Sequence, residues 1–211
     1  MKMKKLMYAA AALLMVAACN SNKTSQVVAE LGEDAPQKVK ISVGGQESVI
    51  GVKDGKLEAK LPVDVLSVSH ARIGASKYTF ISDGSKLTLD PNTGKVVSNK
   101  KDGVHSRYEA YNAWKKAFMD EYYAKMEQME DGSEEARSFF NENRDKYNAY
   151  LIKTLKANKN NYLGALAASD LALEDPDQIL SQIKHLSSKV QALPIVVETK
   201  KACEEVKARN Q

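Results

Sequence analysis

Residues 49–61 read VIGVKDGKLEAKL, in which two alternating runs flank the pair Asp54-Gly55. An Asp-Gly pair between alternating apolar residues is a strong signal for a two-residue β-hairpin, because such turns need residues that tolerate positive φ. Side chains alternate between the two faces of a strand, so Leu57 and Leu61 share one face. The stretch therefore predicts a hairpin with one buried face.

The same period of two continues on both sides of this hairpin. Asp83-Gly84 and residues 92–94 mark further turns between short apolar runs. Seven short strands, with turns about every eight to twelve residues, are typical of a small antiparallel β-sandwich or barrel. We expect such a β domain over residues 38–100.

After the β domain the apolar period changes to that of a helix. Ser133 is a good N-cap residue, and Asp175, Pro176 and Gln178 together form a capping-box helix start. These signals predict a helical domain of about five helices over residues 103–211. Together with the preceding strands, they predict an α+β fold.

Eleven of the fourteen aromatic residues lie between Tyr108 and Tyr162. Their three-four spacing places them on one side of each predicted helix. Such a stripe on paired helices is more often core than ligand site, and we interpret it as the packing between helices. Tyr and Trp side chains at its margin are candidates for lining a groove.

The N-terminus has the pattern of a secretory signal over residues 1–18. Three lysines precede an apolar run of about a dozen residues, which is shorter than the roughly 20 residues of a membrane-spanning helix. Small residues then precede Cys19, as in the lipobox of bacterial lipoproteins. We expect cleavage after Ala18 and a lipid anchor on Cys19 that holds the protein on a membrane.

Residues 19–37 are polar and predict a tether between the lipid and the folded part. Asn20 follows the cysteine, which favours sorting to the outer membrane, and the first acidic residue is Glu30, which favours a periplasm-facing protein. The expected location is therefore the bacterial cell envelope. The net charge of +4 includes the three lysines of the signal, and the remaining basic and acidic residues are interspersed. This pattern excludes a nucleic-acid-binding surface.

No residue pattern indicates catalysis. Cys203 lacks a Cys-x-x-Cys partner and falls on the apolar face of the last predicted helix, which indicates a buried structural thiol. His70, His105 and His185 have no second ligand at metal spacing. We therefore expect no metal, no cofactor and no enzymatic activity. We interpret an acidic stretch as a solvent-exposed helix face; it consists of Glu121, Glu127, Glu130 and Asp131.

Two stretches carry a family resemblance. Residues 51–59 (GVKDGKLEA) and residues 78–90 (YTFISDGSKLTLD), followed by aromatic-rich helices, resemble the uncharacterised module that precedes the thioredoxin domain in lipoproteins similar to TlpA and ResA disulfide reductases. The printed chain ends at Gln211, where such lipoproteins enter the thioredoxin domain. The resemblance therefore implies a non-catalytic accessory or binding module that acts beside a separate thioredoxin-like envelope protein.

Two alternatives remain open. In the first, the chain is a truncated or split thiol-disulfide oxidoreductase whose thioredoxin domain is missing. In the second, it is a structural or chaperone-like envelope lipoprotein. An in-frame Cys-x-x-Cys segment in the DNA beyond codon 211 would favour the first alternative. An exposed apolar patch of more than a few hundred Å² would favour the second.

The lipobox prediction is tested by replacing each cysteine in turn. Cys19→Ser should abolish both the incorporation of labelled palmitate and cleavage after Ala18, because the acylated thiol is lost. Cys203→Ser is the matched control and should be labelled like the parent. Equal labelling of the two variants would contradict the assignment.

Overall fold

The structure, a computed structural model, describes residues 23–171 and 175–209. The predicted cleavage and lipidation sites, Ala18 and Cys19, lie outside the described residues. The strands are β1 (Thr24–Glu30), β2 (Lys38–Val43), β3 (Gln46–Lys53), β4 (Lys56–Pro62), β5 (Asp64–Ile73), β6 (Ser76–Ser82), β7 (Lys86–Leu89) and β8 (Val96–Ser98). The helices are α1 (Val104–Met126), α2 (Glu134–Ala157), α3 (Tyr162–Ser169), α4 (Pro176–Ile183), α5 (Ser188–Gln191) and α6 (Pro194–Arg209).

The eight strands form one nearly closed, barrel-like sheet in the order β6-β5-β2-β3-β4-β1-β7-β8. The α+β class is confirmed, and the seven strands expected from the sequence are present as β2 to β8. The sheet is mixed and not purely antiparallel as predicted, because β1 runs parallel to β7. Alternate side chains of the strands fill the interior, including Val27, Ile41, Leu57, Phe80 and Leu87.

The predicted tether over residues 19–37 is wrong for Thr24–Glu30, which form β1. This strand lies between β4 and β7, with Val27 fully buried. Its composition is polar, but its burial alternates, and Ser25 is also fully buried. Pairing on both edges satisfies the backbone of β1, so the strand needs little apolar content of its own.

His105 lies in the first turn of α1 and closes the gap between the two edge strands. Its fully buried ring accepts a hydrogen bond from the Ile81 N–H of β6 at Nδ1, over 3.4 Å. The proton is therefore on Nε2, which contacts the Val96 carbonyl of β8 at 3.4 Å. The imidazole thus takes the place of a ladder hydrogen bond at the seam of the barrel.

Asp83 fixes the start of α1 against the β6–β7 hairpin. Its carboxylate accepts the backbone N–H of His105 at 3.1 Å and the hydroxyl of Ser85 at 2.5 Å. Burial alone would raise the pKa of Asp83, but these hydrogen bonds and the charge of Lys100 hold it below its ordinary value. Gly103 is required beside this contact, because a Cβ there would lie 2.5 Å from the Asp83 carboxylate.

The helical half is built around α3. Leu163, Ala165, Ala167 and Ala168 of this helix are buried, and they share a core with residues of the other helices. Gly164 allows α3 to meet the end of α2, because a Cβ there would lie 2.3 Å from a backbone oxygen. Within the described residues none of the helices is long and apolar enough to span a membrane.

The helix starts predicted at Ser133 and Asp175 are confirmed, since each side chain accepts a backbone N–H of the first turn. The expected number of about five helices is close to the six in the described part of the chain. The helix that starts at Pro176 ends at Ile183, and a separate short helix, α5, begins at Ser188.

Replacing His105 should open the seam of the barrel. His105→Leu keeps the bulk but leaves the Ile81 N–H and the Val96 carbonyl unpaired, which should lower the free energy of unfolding by about 2–3 kcal/mol in urea. His185→Leu, at an exposed position, is the matched control and should change it by less than about 0.5 kcal/mol. An equal effect of both variants would contradict the role of the imidazole.

Candidate functional site

A ladder of stacked aromatic rings joins α1 to α2. Trp114 of α1 stacks on Tyr150 of α2, with 3.5 Å between ring centroids and 16° between planes. Tyr147 follows at 5.7 Å from Trp114, and Phe118 at 5.2 Å from Trp114. The pairs at 5.2 and 5.7 Å have the centroid separation of offset stacking, which stabilises a pair beyond the area it buries.

Beyond its contacts with β6, β8 and α3 at the base, the α1–α2 hairpin makes few contacts with the rest of the molecule. Between Tyr111 and Leu151 only Ala136 is buried. Tyr122 stacks on Phe139 at 5.8 Å, which continues the ladder towards the tip. The aromatic stripe predicted as packing between helices is therefore present, but its outer half is only partly buried.

One side of this hairpin forms a groove of about 430 Å³, here called the aromatic groove. Tyr123 and Phe140 are 56% and 40% exposed at its edge. Asn143 and Arg144 add polar groups to its rim. Its aromatic and apolar walls are formed by Phe118, Met119, Tyr122, Tyr123, Phe140 and Tyr147.

A polar cluster lies at the base of the hairpin. The Tyr111 hydroxyl donates to Asp170 Oδ2 at 2.5 Å, and Lys115 Nζ lies 2.5 Å from the same oxygen. Burial and then the Asp170 carboxylate raise the pKa of Tyr111. Burial alone would lower the pKa of Lys115, but the contact with Asp170 raises it. Asp170 thereby ties the end of α3 to α1.

The protonation of this cluster does not favour a role for Tyr111 or Lys115 as a base or a nucleophile. A raised pKa keeps Tyr111 protonated, and the raised pKa of Lys115 keeps its amine charged and non-nucleophilic. An enzyme that uses these groups as base or nucleophile shifts their pKa values downward. The cluster is better explained as a structural contact that fixes the orientation of the α1–α2 hairpin.

The residues singled out in the sequence are not brought together. Cys203 is fully buried in the helical core, and burial followed by the charge of Glu204 raises the pKa of its thiol. His70 lies on the outer face of β5, and His105 lies in the seam. In the described ranges, no group of three or more His, Cys, Asp or Glu side chains is placed to hold a metal ion.

The acidic stretch lies on the outer part of the hairpin. Glu121 pairs with Lys125 at 2.7 Å on the surface of α1. The remaining members, Glu127, Glu130 and Asp131, are exposed near the tip, together with Glu134 and Glu135. They form the solvated face expected from the sequence, and they make the tip of the hairpin acidic.

Comparison with protein-family models, with curated proteins and with solved structures finds no match for this chain. The resemblance drawn from residues 51–59 and 78–90 therefore stays a prediction.

Removing the Tyr111 hydroxyl tests the structural role of its hydrogen bond to Asp170. Tyr111→Phe should lower the free energy of unfolding by about 1.5–3 kcal/mol, because a buried hydrogen bond to a charged group is lost. Urea unfolding followed by the fluorescence of Trp114, the single tryptophan of the chain, reports this region directly. Tyr123→Phe, on the same helix but exposed, should change stability by less than about 0.5 kcal/mol. Equal losses in the two variants would contradict a structural role for the Tyr111 contact.

Proposed function

We propose that this protein is a lipid-anchored, periplasm-facing accessory module that binds a partner protein through the aromatic groove. The observation that supports this proposal is the groove itself, with Tyr123 and Phe140 exposed on a hairpin that few other elements cover. Aromatic side chains at the centre of an interface contribute much of the binding energy when a partner covers them.

The shape and charge of the hairpin favour a protein partner. An open apolar groove between two helices suits an amphipathic helix, whose apolar face lies in the groove. The acidic tip, with Glu127, Glu130, Asp131, Glu134 and Glu135 exposed, favours basic residues beside that apolar face. A thioredoxin-like envelope protein is the partner that the family resemblance suggests.

A non-catalytic role is supported by the state of Cys203. A thiol-disulfide enzyme needs an accessible thiol with a lowered pKa. Cys203 is fully buried and its pKa is raised. Reduction of insulin disulfides by the purified protein, lost in Cys203→Ser, would contradict this proposal and favour the redox alternative.

The partner is tested by site-specific photo-crosslinking in intact envelopes. A crosslinking amino acid is placed at Tyr123, at Phe140 and, as a matched control, at Val197, which is 52% exposed on α6. We expect one shared adduct from the first two positions and none from Val197. Adducts of the same proteins from all three positions would contradict a groove-specific partner.

The captured protein is then purified and its affinity measured directly. Phe140→Ser should raise Kd about tenfold or more, which corresponds to roughly 1.4 kcal/mol for a buried aromatic contact. Val197→Ser should leave Kd unchanged. Binding that is unaffected by Phe140→Ser would show that the adduct reflects proximity alone.

A further inference from the structure

Three cationic side chains lie in one row across the outer face of the barrel. Lys40 of β2 is directly opposite Arg72 of β5, and Arg72 is directly opposite Lys77 of β6. The inward neighbours Ile41, Ala71 and Tyr78 are buried, so the three cations point outward by alternation. We call Lys40, Arg72 and Lys77 the cationic row.

The positive charge of this row is only partly neutralised. Lys40 pairs with Glu47 of β3 at 2.9 Å. In the part of the chain that the structure describes, Arg72 and Lys77 form no ion pair. Like charges directly opposite each other on neighbouring strands repel, so the row opposes the pairing of β5 with β6.

The neighbouring row adds small polar groups. Ser42 is opposite His70, and His70 is opposite Thr79, whose hydroxyl lies 3.1 Å from the ring Nδ1. Burial and then the charge of Lys77 lower the pKa of His70, which favours its neutral form. The two rows enclose a shallow pocket of about 250 Å³ lined by Lys40, Ser42, Glu47, His70, Arg72 and Lys77.

We propose that the cationic row binds a phosphate group, either free or as part of a phospholipid headgroup. The planar guanidinium of Arg72 fits two oxygens of a tetrahedral anion, and the ammonium group of Lys77 adds a second positive charge. Lys40 shares its charge with Glu47 and contributes less. Adjacent strands lie about 4.8 Å apart, so three long side chains from neighbouring strands can converge on one anion. A bound anion also removes the repulsion within the row.

This site is on the barrel and is independent of the aromatic groove, so either proposal can fail without the other. The first experiment titrates inorganic phosphate into a chain starting at Asn20, which contains every described residue, with chloride at matched ionic strength as reference. Calorimetry gives Kd, and amide chemical shifts locate the site. We expect the largest shifts at Lys40, Arg72 and Lys77.

The double variant Arg72→Gln/Lys77→Gln should raise Kd for phosphate about tenfold or more. Its melting temperature without phosphate should equal or exceed that of the parent, because like-charge repulsion is relieved. Lys53→Gln/Lys60→Gln removes the same charge from exposed positions elsewhere on the barrel and should leave Kd unchanged. Phosphate shifts outside the row, or equal weakening in both double variants, would overturn the proposal.

A second arm separates the two sources of phosphate. The same chain is sedimented with phosphatidylcholine vesicles, with or without phosphatidylglycerol. Binding that requires phosphatidylglycerol, weakens in Arg72→Gln/Lys77→Gln and is displaced by inorganic phosphate assigns the site to a lipid headgroup. Phosphate binding without vesicle binding assigns it to a free phosphate. Absence of both would overturn the proposal.

Discussion

The contact of His105 and Asp83 at the start of α1 is the constraint on which the two halves of the molecule depend. The sheet has two edge strands, β6 and β8, and unpaired edges are prone to pair with other chains. The imidazole of His105 contacts both edge strands, and the backbone N–H of His105 donates to the Asp83 carboxylate. The helix that follows is therefore fixed to the barrel by the same residue that closes the barrel.

The direction of the hairpin follows from this junction. α1 starts at the seam, and about two turns further on Tyr111 reaches Asp170 at the end of α3. These two contacts, one on the barrel and one in the helical core, define the axis of α1. Beyond them the aromatic ladder, together with Lys125 over the ring of Phe139, joins α2 to α1. The aromatic groove therefore lies on a hairpin whose base is fixed and whose outer half makes few contacts.

Local patterns predicted the elements of this fold but not the contacts that join them. The Asp83-Gly84 turn was visible as a hairpin signal, whereas its role as a cap depends on His105, 22 residues later. The pair of Lys115 and Asp170 spans 55 positions and has no local signature. β1 was missed because its strand pairing, and not its apolar content, holds it in the sheet.

The aromatic stripe is a second case in which a local sequence pattern predicts an element but not its surroundings. Three-four spacing identifies which side of a helix faces its neighbour, but it does not show how many further elements cover the pair. Trp114 and Phe140 belong to the same stripe, yet Trp114 stacks between the two helices and Phe140 is 40% exposed. What decides the difference is the position of α3, which packs along the base of the hairpin and not along its outer half.

The position of β1 also limits how far from the membrane a lipid anchor on Cys19 would hold the protein. Four residues lie between Cys19 and Thr24, and five fully extended Cα-to-Cα steps span at most about 18 Å. Ser25 accepts the Gly84 N–H beside Asp83, so β1 and α1 begin at the same junction. A helix of 23 residues is roughly 35 Å long, which sets the reach of the hairpin from that junction. With Cys19 lipidated, as we propose, the groove would lie within about 50 Å of the lipid surface, and its partner would have to meet it there.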